Sequence, residues 1–163
     1  WKMKMADISM KACAPIGAAF TFIALFTGAI WGKPTWGTWW VWDGRLTSML
    51  VLLFLYFGWM ALSQASEASD GAGTRAPAIF GLVGAVNIPI IHYSVIWWNS
   101  QHQPPSITTG GSAMSGAFLW PLLIAMTGFT LIFAGVVLAR MRGAGRVALE
   151  ALVMAPRVYS KSS

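Results

Sequence analysis

Apolar residues fall into four long blocks separated by short polar or tryptophan-rich stretches. A membrane-spanning helix needs about 20 mostly apolar residues. Residues 12–31 meet that requirement without a single charge, and Gly32-Lys33-Pro34 is predicted to end the helix there. Residues 46–63 form the second block, around the core 49–57. The third, 77–97, contains Asn87 and Pro89, and the fourth, 115–139, carries Pro121 near its start. Between Arg75 and Arg140 there is no charged side chain, so two helices and a neutral turn fit that stretch. Residues 99–105, Asn-Ser-Gln-His-Gln-Pro-Pro, supply the turn, and 110–112 extend it. A Pro-Pro pair cannot continue a helix. The pattern predicts an all-α integral membrane protein with four transmembrane helices, organised as a single domain over 1–163.

Charge assigns the two sides. Lys2, Lys4 and Lys11 precede the first block, Arg75 lies in the loop 64–76, and Arg140, Arg142, Arg146, Arg157 and Lys161 follow the last. Those nine of the eleven cations fall on one side of an even number of spans, which makes it the cytoplasmic side. Only Lys33 and Arg45 lie opposite. The loops 32–45 and 98–114 are therefore predicted to share the outer face, in a bacterium the periplasm, with the basic C-terminal tail inside.

Composition narrows the function classes. The chain is 56% hydrophobic and 10% charged, where a soluble domain carries about 25% charged residues. The formal charge of +6 is dispersed at segment ends and forms no basic stripe, so nucleic acid is not an expected partner. One cysteine, Cys13, leaves no intrachain disulfide, and no Cys-x-x-Cys-His occurs. Two distant histidines without an acidic cluster argue against a zinc or di-iron site. Residue 1 is Trp, no signal peptide is visible, and the opening reads as the interior of a longer protein.

The densest chemistry is in residues 36–45, where four tryptophans, one acid and one base occur together. Tryptophan commonly anchors helices at a membrane interface, and Trp59 and Trp120 need no other account. Trp36, Trp39, Trp40 and Trp42 are too dense for anchoring alone. An exposed apolar patch of this kind marks an interaction site, and Gly37 and Gly44 would let backbone approach a ligand. Asp43 reads first as the cap of the second helix. It could also pair with Arg45. Arg45 or Lys33 could instead meet a ligand carboxylate, for which a guanidinium fork is best suited. His92 sits one to two turns inside the outer end of the third helix. An ionisable residue at that depth is a functional candidate, and imidazole is a common iron ligand. The alternative is a histidine hydrogen-bonded through a neighbour such as Tyr93 or Ser94. His102 reads as a solvated loop histidine. An aromatic platform, an imidazole and outer-face cations make a porphyrin site plausible, while a quinone site or a helix-docking surface would use similar parts.

The run Trp36-Gly37-Thr38-Trp39-Trp40-Val41-Trp42-Asp43-Gly44-Arg45-Leu46-Thr47-Ser48 resembles the tryptophan-rich WWD signature of heme-handling membrane proteins of cytochrome c biogenesis. The run 87–99, Asn-Ile-Pro-Ile-Ile-His-Tyr-Ser-Val-Ile-Trp-Trp-Asn, is similar to the second histidine region of the CcmC-type member. The likeness covers about residues 3–103. It implies six spanning helices, heme b held at the periplasmic face of the bacterial inner membrane, and delivery to the heme chaperone CcmE. It also implies work beside the ABC-type subunits CcmA and CcmB and the small protein CcmD. The WWD loop would be the heme platform, contributing Trp36, Gly37, Thr38, Trp39, Trp40, Val41, Trp42, Asp43 and Arg45. His92 would be one of two axial ligands. The other ligand, with its two helices, would precede residue 1. His102 corresponds to the family's downstream loop histidine.

No bond-making residue is visible, so the expected role is binding and presentation of heme rather than catalysis. The alternatives are a permease subunit exporting heme or another solute, and a structural subunit that docks partners through its tryptophan loop.

Overall fold

A computed structural model of the chain describes residues 4–68, 75–98, 100–103, 106–108 and 110–159. The expectations on Lys2, Asn99, Pro104, Pro105 and Lys161 lie outside the described residues. Helix α1 runs Lys4–Trp36, α2 Gly44–Ala68, α3 Arg75–Trp97 and α4 Gly116–Tyr159. All four are long and apolar enough to cross a membrane. The fold is that of an all-α integral membrane protein, with one small addition. Strands Ile107–Thr108 (β1) and Gly111–Ser112 (β2) pair antiparallel inside the loop 98–114.

The helices outrun the apolar blocks that announce them. The first was predicted to end at 32–34, yet α1 carries Pro34 inside its last turn and continues to Trp36. Proline removes only its own N–H, and next to it the Thr35 hydroxyl donates to Trp31 O at 2.8 Å. The stop is Gly37. Its φ of 78° is left-handed, and its N–H closes on Lys33 O at 3.0 Å, a helix C-cap that suits glycine. At the other end of the chain α4 continues well past 139, because the segment to Tyr159 is rich in Ala, Leu, Arg and Met, all good helix formers.

Two compact units partition the chain: residues 14–119, and residues 1–13 with 120–163. In the first, α2 and α3 lie antiparallel against one another. Lipid gives no hydrophobic drive for helices to associate, so small residues and polar contacts carry the pairing. The buried Asn87 amide donates to Ser48 O at 2.9 Å. The Ser48 hydroxyl itself turns back onto Gly44 O at 2.6 Å. Alongside them Ala18 and Leu25 of α1 meet Leu53 of α2, with Trp40, Leu46, Met49 and Tyr56 packed on that cluster. Trp59, which reads as an interface anchor, is instead buried. In the second unit, Ser9 Oγ lies 3.8 Å from Met141 Sδ. The exposed Ile124, Phe129, Leu131 and Ile132 of α4 are the surface expected of a helix whose solvent is lipid.

Candidate functional site

The loop between α1 and α2 folds on its own backbone. Lys33 Nζ donates to Gly37 O at 3.0 Å, placing a cation at the negative end of α1. The Thr38 hydroxyl donates to Trp40 O at 3.0 Å, and Asp43 N–H to Val41 O at 2.9 Å. Asp43 then starts α2. Its Oδ1 accepts Leu46 N–H at 2.7 Å, a side-chain N-cap of the kind that contributes about 1 kcal/mol. The capping role read from the sequence is present.

The second carboxylate oxygen does something the sequence did not reveal. Ser100 Oγ donates to Asp43 Oδ2 at 2.5 Å, and His102 Nδ1 lies 2.8 Å from the same atom. Ser100 Oγ also accepts His102 N–H at 3.1 Å. The expectation of a solvated His102 is therefore corrected. Its side chain is 21% exposed and Asp43's only 4%, and the imidazole edge faces the Trp36 ring at 4.8 Å. Burial alone would raise the Asp43 pKa. The bonds from Ser100, Leu46 N–H and His102, with the attraction of a charged His102, outweigh it and hold the carboxyl below its ordinary value of 3.8. Among the described residues the Asp43 carboxylate is bonded by His102 and not paired with Arg45.

The tryptophans divide into two kinds. Trp40 turns inward against the Ala18–Leu25–Leu53 cluster, and its buried indole N–H finds no acceptor among the described residues. Trp36 is half-buried between Trp31, at 5.2 Å, and His102. Trp39 and Trp42 are 57% and 76% exposed. The Lys33 ammonium stands 6.0 Å from the Trp39 ring centre, and Trp42 meets Trp40 edge-on at 5.5 Å.

Beside Trp42 an open pocket of about 440 Å³ runs between the starts of α2 and the end of α3, walled by Val41, Trp42, Asp43, Val51, Asn87 and Trp98 among others. Gly44 sets its floor. A Cβ there would come within 2.8 Å of Trp98 Cε3, so the glycine permits the close contact between the two helices. Gly37 likewise serves the cap.

No hydrogen bond or ion pair joins His92 to this loop among the described residues. It is exposed on α3, and its ring meets that of its neighbour Tyr93 at right angles, at 4.9 Å. Tyr93 in turn stacks on Trp97 at 5.4 Å. Ser94, the other suggested partner, bonds back to Ile91 O at 2.8 Å. Arg45 is exposed and makes no ion pair among the described residues. The structure thus gathers Trp36, Asp43 and His102, with Ser100 as an unforeseen member. The only sequence signal for Ser100 and His102 was their place on the same predicted face as the tryptophan loop.

The profile of a protein family described as CcmC, Heme exporter protein C, matches residues 1–150. The chain belongs to the CcmC family. Relatives named Heme exporter protein C share 53% identity over 143 residues in Bradyrhizobium diazoefficiens and 56% over 142 in Escherichia coli K12. Each alignment covers 87% of this chain, with 54% and 57% of the respective relative. A ccmC-like mitochondrial protein of Marchantia polymorpha, described under cytochrome c biosynthesis, is 44% identical over 128 residues, covering 78% of this chain and 53% of its own length. The chain spans about half the length of the curated relatives it matches.

Proposed function

We propose that this chain handles heme for cytochrome c maturation, holding heme b at the periplasmic face of the bacterial inner membrane and presenting it to a CcmE-type chaperone. CcmA, CcmB and CcmD types are its proposed companions in the membrane. The observation that carries the reading is the His102 imidazole, fixed through Nδ1 beside a loop that exposes Trp39 and Trp42. The donor set suits heme. Flat rings stack on a macrocycle, a neutral imidazole nitrogen ligates iron, and the exposed Arg45 is free to meet a propionate. Asp43 and Trp36 hold the ring, while Trp39 and Trp42 offer their faces to the porphyrin. In this arrangement the protein controls position and coordination, and the bond to the chaperone forms at the heme edge left uncovered.

His102 becomes the first choice for this chain's axial ligand, and His92, to which the family resemblance pointed, the second. The exposed and unbonded imidazole of His92 keeps it a candidate. Absorption spectra of the purified protein separate the two. His102→Ala should shift the Soret and α bands and recover them with added imidazole, whereas His92→Ala should keep them. An unchanged His102→Ala spectrum overturns the assignment. A permease would move heme across a sealed proteoliposome, and presentation alone would not.

A further inference from the structure

We infer that Asp43, helped by Ser100, is a positioning residue for His102, holding the proton on Nδ1 and leaving Nε2 as the nitrogen available to iron. The inference rests on the reading of His102 as a heme ligand. Three donors converge on the Asp43 carboxylate: Leu46 N–H on Oδ1, and Ser100 Oγ and His102 Nδ1 on Oδ2. An ionised carboxylate only accepts hydrogen bonds, so the proton between Nδ1 and Oδ2 belongs to the imidazole. Ser100 Oγ, at 3.2 Å from Nδ1, has already given its own proton to Oδ2 and cannot donate there. The tautomer follows: Nδ1 carries the hydrogen and Nε2 the lone pair. Among the described residues no side chain or backbone group bonds Nε2.

Orientation is fixed as well as protonation. Ser100 Oγ bonds both the carboxylate and the His102 backbone N–H, and the Trp36 ring packed against the imidazole limits its rotation. Metal-binding histidines characteristically give their second N–H to a carboxylate or carbonyl, which fixes the ring and raises its basicity. A more basic imidazole favours ferric over ferrous iron. Asp43 therefore has two separable tasks, one per oxygen: Oδ1 starts α2, and Oδ2 sets the strength of the heme ligand.

Asp43→Ser separates them, because serine is a good N-cap but too short to reach His102 as well. In the heme-free protein, histidine-selective 15N NMR should show His102 as the Nδ1–H tautomer in the wild type and as a mixture in Asp43→Ser. Hemin titration should show affinity falling about 10- to 100-fold. The midpoint potential should rise, by about 59 mV for each tenfold loss of ferric preference. Asp43→Asn, which keeps an acceptor but not the charge, should recover part of the affinity and less of the potential. Ser100→Ala leaves the cap intact and keeps the test available if Asp43→Ser does not fold. Losing the bonds that orient the carboxylate and the His102 N–H, it should shift the tautomer toward a mixture in the same direction as Asp43→Ser and by less, and an unchanged tautomer would overturn the help assigned to Ser100. If His102→Ala alters the heme spectrum but Asp43→Ser leaves tautomer and potential unchanged, the positioning role is overturned and the ligand reading stands. If His102→Ala changes nothing, the ligand reading itself falls.

Discussion

His92 and His102 lie ten residues apart and in opposite chemical surroundings. His102 is in a loop, yet a carboxylate, a hydroxyl and a tryptophan edge hold its ring. His92 is on a regular helix, yet its ring contact among the described residues is with the adjacent tyrosine. Regular secondary structure fixes a backbone, and a ligand needs its side chain fixed. The loop achieves this because a buried carboxylate oxygen from one segment meets two polar groups from another segment distant in sequence.

The contrast can be broken at the helix junction beneath the loop. Gly44→Val places methyl groups where Trp98 and Ser94 already stand, 2.8 and 3.3 Å from a bare Cβ. Overpacking there should destabilise the α2–α3 pair by about 1–3 kcal/mol. It should also raise the reactivity of His102 toward diethyl pyrocarbonate while leaving His92 unchanged. Gly84→Val on α3, where a Cβ meets nothing within 4 Å, should stay within about 0.5 kcal/mol of wild type. Equal effects from both would mean that the Gly44 contact does not support the loop. A smaller change is expected from Asn87→Leu, which removes the 2.9 Å bond to Ser48 O. Interhelical bonds in membranes average about 0.6 kcal/mol, so reversible unfolding in mild detergent should register a loss of that order.

The smallest effect is in acid. A carboxyl whose folded pKa is lowered adds stability that is complete above its ordinary value of 3.8 and disappears as pH falls through the lower folded value. Trp36 emission, which reports the His102 contact, should therefore show no Asp43-linked transition down to about pH 4 and change only below it. A transition linked to Asp43 well above that range would contradict the hydrogen-bonding pattern.

Hydrophobic pattern made the four helices legible because membrane helices announce themselves by length and apolarity alone. Their ends were less legible. Pro34 looked like a stop and was carried within α1, while the terminating feature was the left-handed Gly37. Asp43 as a cap could be read from a single local offset to Leu46. Its partnership with His102 could not, because that contact joins residues 59 apart and no local period encodes it. His92 drew attention because an imidazole in an apolar helix is conspicuous in a sequence. His102, among other polar loop residues, was not. Trp59 and Trp40 show the same limit, since density along the chain marked a cluster but did not say which rings turn inward.

The 59-residue separation has an entropic side. Closing a flexible loop of that length would cost about 3.6 kcal/mol by the logarithmic law, more than one charged hydrogen bond returns. Here the antiparallel α2–α3 pair has already brought Gly44 beneath Trp98, so only the few residues from Trp98 to His102 remain to be ordered. The clasp between Asp43 and His102 can therefore open and reclose without unfolding either helix. For the heme-handling role proposed above, a latch whose closure entropy is borne elsewhere in the fold would let the site take up a large flat cargo and give it up again.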